Sequence, residues 1–160
     1  MRIAIASDHR GYHLKEKLAA VLESKGHEVL DEGTTAAEAV DYPDFAALVA
    51  RRVSDKTAER GILICGTGIG MAVTANKFPG VRAAQCTDEV TAEISRRHND
   101  LNVLCLSADM LSPRSVERMV DLWLATEFEG GRHSRRVEKI HEIEDRLRRH
   151  DDCHDDSANP

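Results

Sequence analysis

The sequence has few aromatic residues, no excess of positive charge and no long apolar run. Aromatic residues make up 4% of the 160 residues, and the formal net charge is -6. Proteins that bind single-stranded nucleic acid stack the bases on aromatic rings, and nucleic-acid-binding domains are usually basic, so we expect no nucleic-acid partner. The apolar runs are far shorter than the roughly 20 residues that cross a bilayer, so we expect no membrane association.

The sequence also lacks closely spaced cysteines and the architecture of an N-terminal signal peptide. Its four cysteines are Cys65, Cys86, Cys105 and Cys153, and they lie too far apart for a zinc knuckle. Without an export signal, such cysteines are most simply free thiols in a reducing compartment. The sequence therefore predicts a cytoplasmic protein.

Short apolar segments alternate with helical patterns along most of the chain. The five expected strands cover residues 2–7, 27–30, 61–65, 81–86 and 102–107. This alternation predicts an α/β fold in which helices cover both faces of a five-stranded parallel sheet. We expect one domain over residues 1–150. Residues 151–160 are acidic, polar and aperiodic, which predicts a disordered tail.

A further helical pattern, over residues 132–149, follows the last strand. Its apolar residues recur at helical spacing: Val137, Ile140, Ile143 and Leu147. Because the sheet is already complete at this point, the apolar stripe must be buried elsewhere. A second subunit is a natural place for it.

The stretch that organises the chain is residues 61–71, where an apolar run ends at Cys65 and three glycines follow: Gly66, Gly68 and Gly70. Ligands of α/β proteins bind at the carboxyl ends of the strands, which is where this loop is expected. Met71 stands where a dinucleotide fingerprint needs glycine and where a thiol phosphatase loop needs arginine, and no Gly-Lys-Ser/Thr follows as in a P-loop. The loop instead offers backbone N–H groups that form an anion hole, for a phosphate or a developing oxyanion.

Cys65 is the candidate reactive group of this loop. The N-terminus of a helix favours the thiolate over the thiol. A thiolate can act as a nucleophile or as a base that abstracts a proton. Cys86 and Cys105 lie in predicted strands, where buried cysteines are usually inert.

Other polar residues could join Cys65 in a site. Asp8 and His9 end the first predicted strand, and they face Cys65 if strands one and three are neighbours. His98 and Asn99 close the helix after strand four, and we expect them at the same edge of the sheet. A cationic cluster follows a pair of glycines near the C-terminal helix: Arg132, His133, Arg135 and Arg136.

Each of these residues also has a purely structural alternative. Asp8 could cap the next helix, His98 could interact with the dipole of its own helix, and the cationic cluster could be a solvated helix face. Asp41 and Asp44 could simply be residues of a helix start. Together, however, a thiolate, an acid, two imidazoles, an anion hole and a guanidinium pair suit proton transfer on a small phosphorylated molecule. The tail over residues 150–156 has metal-ligating residue types without fixed spacing, and we expect no metal site there.

These motifs resemble those of the sugar-phosphate isomerase family typified by ribose-5-phosphate isomerase type B, which shares its scaffold with galactose-6-phosphate isomerase. The matching segments span most of the chain: Asp8-His9-x-Gly11, Asp41-Tyr42-Pro43-Asp44, residues 64–70, Asn76-Lys77, His98-Asn99-Asp100, residues 102–104 and residues 129–137. The resemblance implies a Rossmann-like three-layer αβα sandwich with an extra C-terminal helix, working as a homodimer or a dimer of dimers. It also implies an aldose–ketose isomerase of ribose 5-phosphate and ribulose 5-phosphate, which acts through an enediolate without a metal or other cofactor.

The resemblance also assigns a role to each candidate residue. Cys65 would be the base that moves the proton between C1 and C2, His98 would help to open the furanose ring, and Asp8 would orient the ring oxygen or hydroxyl groups. The enediolate oxygens would be stabilised by Thr67 and by the backbone N–H groups of the loop: Gly66, Gly68, Ile69 and Gly70. The other substrate contacts would be those of Asp41 and Asn99 with sugar hydroxyls and those of His9, Arg132 and Arg136 with the phosphate, the two arginines coming from the partner subunit.

Two departures from the family pattern leave the substrate open. Asp109 stands where many members carry a basic residue that can help to hold the phosphate, and Ala72 stands where many carry serine. The alternatives are isomerases of galactose 6-phosphate, allose 6-phosphate or a tetrose phosphate. A Cys/His hydrolase, with Cys65 as nucleophile and His98 as its base, and a non-catalytic sugar-phosphate sensor also stay open.

Overall fold

The computed structural model describes residues 1–155, and it describes their side chains up to residue 149. The elements in chain order are β1 (Arg2–Ser7), α1 (Tyr12–Ser24), β2 (Glu28–Asp31), α2 (Tyr42–Ser54), β3 (Arg60–Cys65), α3 (Ile69–Ala75), β4 (Ala83–Gln85), α4 (Glu89–Asn99), β5 (Val103–Ser107), α5 (Pro113–Ala125) and α6 (Arg132–Asp155). Strands and helices alternate up to α5, and α6 is an additional helix at the end.

The five strands form one parallel sheet in the order β2–β1–β3–β5–β4. The predicted α/β fold with a five-stranded parallel sheet is therefore confirmed. From β1 the chain first adds β2 on one side and then crosses to β3 on the other side. Such a reversal opens a crevice at the carboxyl ends of the two strands, here β1 and β3, where α/β proteins bind ligands.

The side chains of the central strands divide the core into two layers, because successive residues of a strand point to opposite faces. On β3, Ile62 and Ile64 pack with residues of α1, α4 and α5, whereas Leu63 and Cys65 pack with residues of α2 and α3. The result is the predicted three-layer αβα sandwich. It places the side chain of Cys65 at the carboxyl edge of the sheet, on the face that α2 and α3 cover.

Two elements, β4 and α6, differ from the sequence prediction by more than one residue. β4 is shorter than the predicted span 81–86, because this edge strand pairs only with β5 and the backbone N–H of Arg82 donates to the side chain of Asn102 instead. α6 continues through Asp155, so it extends into the segment that the sequence predicts to be disordered. Residues 156–160 lie outside the described part of the chain, as do the side chain of Cys153 and the metal-ligating side chains of the tail.

The apolar stripe of α6 is only partly buried within one chain. Val137 is buried, whereas Ile140, Ile143 and Leu147 are 46%, 51% and 63% exposed. These three side chains line one wall of a groove of about 790 Å³, and the opposite side is lined by the segment after α3, by β4 and by Ser95 and Asn99 of α4. Within the part of the chain that the structure describes, most of the stripe therefore lacks a covering surface. No described helix, α6 included, is both long enough and apolar enough to cross a membrane.

Candidate active site

Cys65 ends β3, and the chain turns at once into α3 through a short glycine loop. Gly68 precedes α3 with a φ of +81°, a left-handed conformation that glycine adopts without strain. This conformation lets the backbone N–H of Gly68 donate to Cys65 Sγ at 3.0 Å. An N–H dipole that points at a sulfur atom stabilises negative charge on it. Cys65, a residue that is 5% exposed, thus has a backbone hydrogen-bond donor directed at its sulfur atom.

Replacing Gly68 with alanine should break this arrangement. A Cβ at Gly68 would lie 3.1 Å from the backbone oxygen of Leu106, and a non-glycine residue at this φ costs about 1–2 kcal/mol. The loop must shift to relieve the clash, which moves the N–H away from Sγ. We expect Gly68→Ala to lower kcat by about 10²-fold, comparable to the loss of one oxyanion donor.

Gly26→Ala is a matched control for Gly68→Ala. Gly26 has a similar φ of +84°, but no atom lies within 4 Å of a Cβ added there. Both variants should lower Tm by about 3–6 °C, and only Gly68→Ala should lower kcat. Equal activity of the two variants would show that the loop geometry is not needed for function.

Asp8 lies beside the Cys65 loop because β1 and β3 are neighbours, as the sequence analysis required. The backbone N–H of Asp8 donates to the carbonyl of Ile64, the residue before Cys65. Its Oδ1 accepts from the backbone N–H groups of Arg10 at 3.0 Å and Gly11 at 3.2 Å. Asp8 therefore does cap the following turn through Oδ1, and among the described residues no hydrogen-bond donor contacts Oδ2.

His9 and Asp41 are brought to the same edge by the segment that precedes α2. The backbone N–H of Val40 donates to His9 Nδ1 at 3.3 Å, so a neutral His9 carries its ring proton on Nε2. Asp41 is the exposed N-cap residue of α2. The ring of Tyr42 lies 2.5 Å from where a Cβ would stand on Gly70, which explains why this position of the loop is glycine.

These residues form a cluster at the switch point between β1 and β3, which we name the thiol half-site. Its members are Asp8, His9, Asp41, Cys65 and the loop residues Gly66, Thr67, Gly68, Ile69 and Gly70. Thr67 and Ile69 are exposed, so the loop faces solvent above the buried thiol. The structure thus brings together the sequence-predicted residues of the first half of the chain.

His98 and Asn99 lie at the opposite edge of the sheet, and the expectation that they share an edge with Cys65 is wrong. A helix that follows a strand of a parallel sheet runs back along it, so α4 ends where β5 begins. The residue that follows α4 and precedes β5, Asn102, accepts from the backbone N–H of Gly61 at the start of β3. With about 3.3 Å per residue, the four residue steps from Gly61 to Cys65 separate that edge from Cys65 by about 13 Å.

A second cluster forms where the start of α6 packs on the end of α4, and we name it the histidine half-site. Its members are His98, Asn99, Glu129, Arg132, His133 and Arg136. The rings of His98 and His133 stack in parallel, with centroids 4.1 Å apart and an interplanar angle of 3°. Glu129 Oε2 lies 3.8 Å from His98 Nε2.

The histidine half-site has a cationic environment. Burial and the neighbours His98 and Arg132 hold the pKa of His133 below its ordinary value. A hydrogen bond from Arg97 holds the pKa of Glu129 below its ordinary value, so this carboxylate stays charged. From the sequence, His133 was expected only as part of a cationic cluster, and Glu129 was not expected in the site. Both residues lie in the family motif of residues 129–137, and this was the sequence feature that could have indicated that they belong to the site.

One group of described side chains has the geometry to hold a metal ion, since the ligand atoms of His98, Glu129 and His133 all lie within 4.8 Å of one another. However, Arg97 already binds Glu129, and Arg132 Nε contacts His133 Nε2 at 3.3 Å. Positive neighbours at such distances favour an anion over a metal cation. The cationic neighbours of this cluster therefore disfavour a metal ion there.

The doubly wound sheet, with a thiol and a glycine loop at its switch point, defines the class of α/β proteins that bind small molecules at the carboxyl ends of their strands. Within this class, the family model described as ribose/galactose isomerase matches residues 3–140. The chain belongs to the ribose/galactose isomerase family. The predicted family and the predicted enzyme class are thus confirmed.

Individual relatives agree with this assignment. Ribose-5-phosphate isomerase B of Escherichia coli strain K12 is 45% identical over 145 residues, which cover 91% of this chain and 97% of that protein. A relative from Rickettsia typhi, 48% identical over 138 residues that cover 86% of this chain and 96% of that protein, is named only as a sugar phosphate isomerase.

Solved structures of related proteins share the whole fold. Ribose-5-phosphate isomerase B of Clostridium thermocellum has a TM-score of 0.90 at 50% identity, over 92% of this chain and 99% of that chain. The crystal structure of ribose-5-phosphate isomerase B from Mycoplasma genitalium with bound ribulose-5-phosphate has a TM-score of 0.88 at 45% identity, over 90% of this chain and 96% of that chain.

Proposed function

We propose that the protein interconverts ribose 5-phosphate and ribulose 5-phosphate through an enediolate, with Cys65 as the base. The observation that carries this proposal is the 3.0 Å hydrogen bond from the Gly68 N–H to Cys65 Sγ at the switch point of the sheet. The Mycoplasma genitalium relative, crystallised with ribulose-5-phosphate, supports the choice of a pentose phosphate. The three described cysteines are free and buried, which fits a protein of the reducing cytoplasm.

In this mechanism the open-chain aldose lies over the glycine loop. The thiolate of Cys65 takes the proton from C2, and the electron pair moves to the C1 carbonyl oxygen, which becomes the enediolate oxygen. Backbone N–H groups at the start of α3 and the hydroxyl of Thr67 stabilise this oxygen, as an oxyanion hole does. A proton then passes from the C2 hydroxyl to the C1 oxygen, and the Cys65 thiol returns its proton to C1. No metal or cofactor is needed in this sequence of steps.

We infer that two copies of the chain complete each active site. The roles assigned to His98 and Asn99 require them near the sugar, but within one chain they lie at the edge opposite Cys65. The thiol half-site of one copy must therefore meet the histidine half-site of another. This extends the sequence-based expectation, in which only Arg132 and Arg136 crossed the interface.

Exposed apolar residues border both half-sites and support such a homodimer. Ile69 and Val73 of α3, next to the glycine loop, are 57% and 58% exposed. Ile140 and Ile143 of α6, about one and two turns beyond Arg136, are also exposed. Burying these surfaces against each other removes apolar area from water and brings the two half-sites together. A tetramer would contain this dimer twice.

A panel of sugar phosphates tests the proposed substrate. The purified protein is assayed with tetrose, pentose and hexose phosphates, including galactose 6-phosphate and allose 6-phosphate. We expect kcat/KM to be highest for ribose 5-phosphate, by about tenfold or more, because the phosphate and the loop fix the length of the bound sugar. Equal or better turnover of a four-carbon or six-carbon substrate would contradict the assignment.

A further inference from the structure

An ion pair outside the predicted site residues lies directly against the Cys65 loop. Arg10 follows β1 and Asp109 follows β5, and the two side chains meet in a bidentate contact. Arg10 Nε donates to Asp109 Oδ1 and Oδ2 at 3.1 and 2.9 Å, and Nη2 lies 2.7 Å from Oδ2. A Cβ at Gly66 would lie 3.0 Å from Asp109 Oδ2 and 3.2 Å from Arg10 Nε. The guanidinium group thus rests on the residue that follows Cys65.

Asp109 is held firmly in this position by backbone contacts. Its N–H donates to the carbonyl of Gly66 at 3.2 Å. Ser107 Oγ donates to the same carbonyl at 2.6 Å and accepts from the N–H of Met110 at 3.0 Å. The turn after β5 is therefore fixed to the Cys65 loop, and it fixes the carboxylate that orients Arg10.

The orientation leaves one edge of the Arg10 guanidinium open. Asp109 occupies the edge formed by Nε and Nη2, and among the described residues no acceptor contacts Nη1. The Arg10 side chain is 55% exposed. A guanidinium group has five N–H donors in a planar fork, so the open edge can bind an anion in a bidentate manner.

The acidic residues of the thiol half-site would repel a phosphate group unless a positively charged side chain lies nearby. The thiol half-site contains the carboxyl group of Asp8 next to the end of β3 and that of Asp41 at the start of α2, and the substrate would bring a phosphate dianion to them. Arg132 and Arg136 lie at the other edge within the same chain. Among the described residues, Arg10 is an arginine whose side chain does lie against the loop, beside Gly66.

We propose that Arg10 binds the phosphate group of the substrate and that Asp109 is the positioning residue that orients it. Many family members carry a basic residue at the position of Asp109. In this chain, Arg10, in the loop after β1, supplies the positive charge in that region instead. That the bound phosphate belongs to a sugar substrate rests on the proposed isomerase function. That Arg10 binds a phosphate group does not depend on that function.

The test measures KM and kcat for ribose 5-phosphate and the Kd of inorganic phosphate by calorimetry, in the full-length protein. Arg10→Ala should raise both KM and Kd by about 10- to 100-fold, the range expected for losing charged hydrogen bonds, and change kcat less than about threefold. Arg10→Lys should be intermediate, because an ammonium restores the charge but not the fork.

The double variant tests whether Asp109 acts through Arg10. Asp109→Ala should raise KM by about three- to tenfold in the native background and have no effect in the Arg10→Ala background, because coupled residues are not additive. If Asp109 only repelled the phosphate, its removal would lower KM in both backgrounds, which would overturn its positioning role.

Arg118→Ala is the matched control for Arg10→Ala. Arg118 forms a surface pair with Glu89, with side-chain exposures of 54% and 43% against 55% and 39% for Arg10 and Asp109. Exposed pairs of this kind add little to stability, so neither arginine variant should unfold the protein. Arg118→Ala should leave KM and Kd unchanged.

The outcomes separate this inference from the proposed function. An active protein whose Arg10→Ala variant keeps KM and phosphate Kd within about threefold of the native values would overturn the role of Arg10 and leave the isomerase proposal intact. A native protein that turns over no sugar phosphate, yet binds inorganic phosphate through Arg10, would overturn the isomerase proposal and support the phosphate subsite.

Discussion

Replacing Cys65 with alanine should lower kcat for sugar-phosphate isomerisation by about 10²- to 10⁴-fold, the range that a positioned general base contributes. The substitution removes the sulfur atom that accepts the hydrogen bond from the Gly68 N–H, and with it the proposed base. KM should change little, because the loop N–H groups and the phosphate contacts remain. A coupled assay of ribulose 5-phosphate formation measures both constants.

Cys105→Ala is the matched control for Cys65→Ala. Cys105 lies on the neighbouring strand β5, packs in the same core layer and is fully buried. Burial raises the pKa of its thiol well above the ordinary value, so it stays protonated and inert. Cys105→Ala should keep kcat, whereas full activity of Cys65→Ala would exclude Cys65 as the base. A covalent substrate adduct on Cys65, detected by mass spectrometry, would instead support the hydrolase alternative.

Mixing two inactive variants should restore activity if the active site is shared between copies. Cys65→Ala disables the thiol half-site, and Arg136→Ala disables the histidine half-site. In a dimer that joins the two kinds of half-site, each mixed dimer contains one fully native site and one doubly defective site. After complete subunit exchange the mixture should reach about a quarter of native activity, because half of the dimers are mixed and half of their sites are native.

The control is a mixture of two variants of the same half-site. His98→Ala and Arg136→Ala both lie in the histidine half-site, so every site in their mixed dimers carries one defect. This mixture should show no recovery. Absence of recovery in the first mixture, with subunit exchange demonstrated by native mass spectrometry, would contradict a shared site. Recovery in both mixtures would contradict the division into two half-sites.

The thiol loop could be predicted from the sequence because its geometry is local. An apolar strand ending in Cys65, followed by glycines and a helix, places a thiol at a strand end whatever the rest of the chain does. The position of His98 could not be assigned with the same rule. It depends on the direction of α4 relative to the sheet, and the interpretation of the sequence overlooked that a helix between parallel strands ends at the amino edge.

Contacts between segments that are distant in the sequence could not be predicted from the sequence. Arg10 and Asp109 are 99 positions apart, and they meet only because β1 and β5 flank β3 in the final strand order. From the sequence alone, Asp109 indicated only that the basic residue of many family members is missing at this position. The structure pairs it with an arginine from another loop. The stack of His98 on His133 depends in the same way on the docking of α6 onto α4.

The central claim is that Cys65 moves a proton between C2 and C1 of ribose 5-phosphate. It is tested most directly by incubating the protein with ribose 5-phosphate in D₂O and following the product by NMR. A proton held on a cysteine exchanges with solvent, so the account predicts ribulose 5-phosphate that carries deuterium at C1, formed at least about 10²-fold more slowly by Cys65→Ala. Conversion in which the C2 hydrogen is fully retained at C1, or no conversion by the native protein, would contradict it.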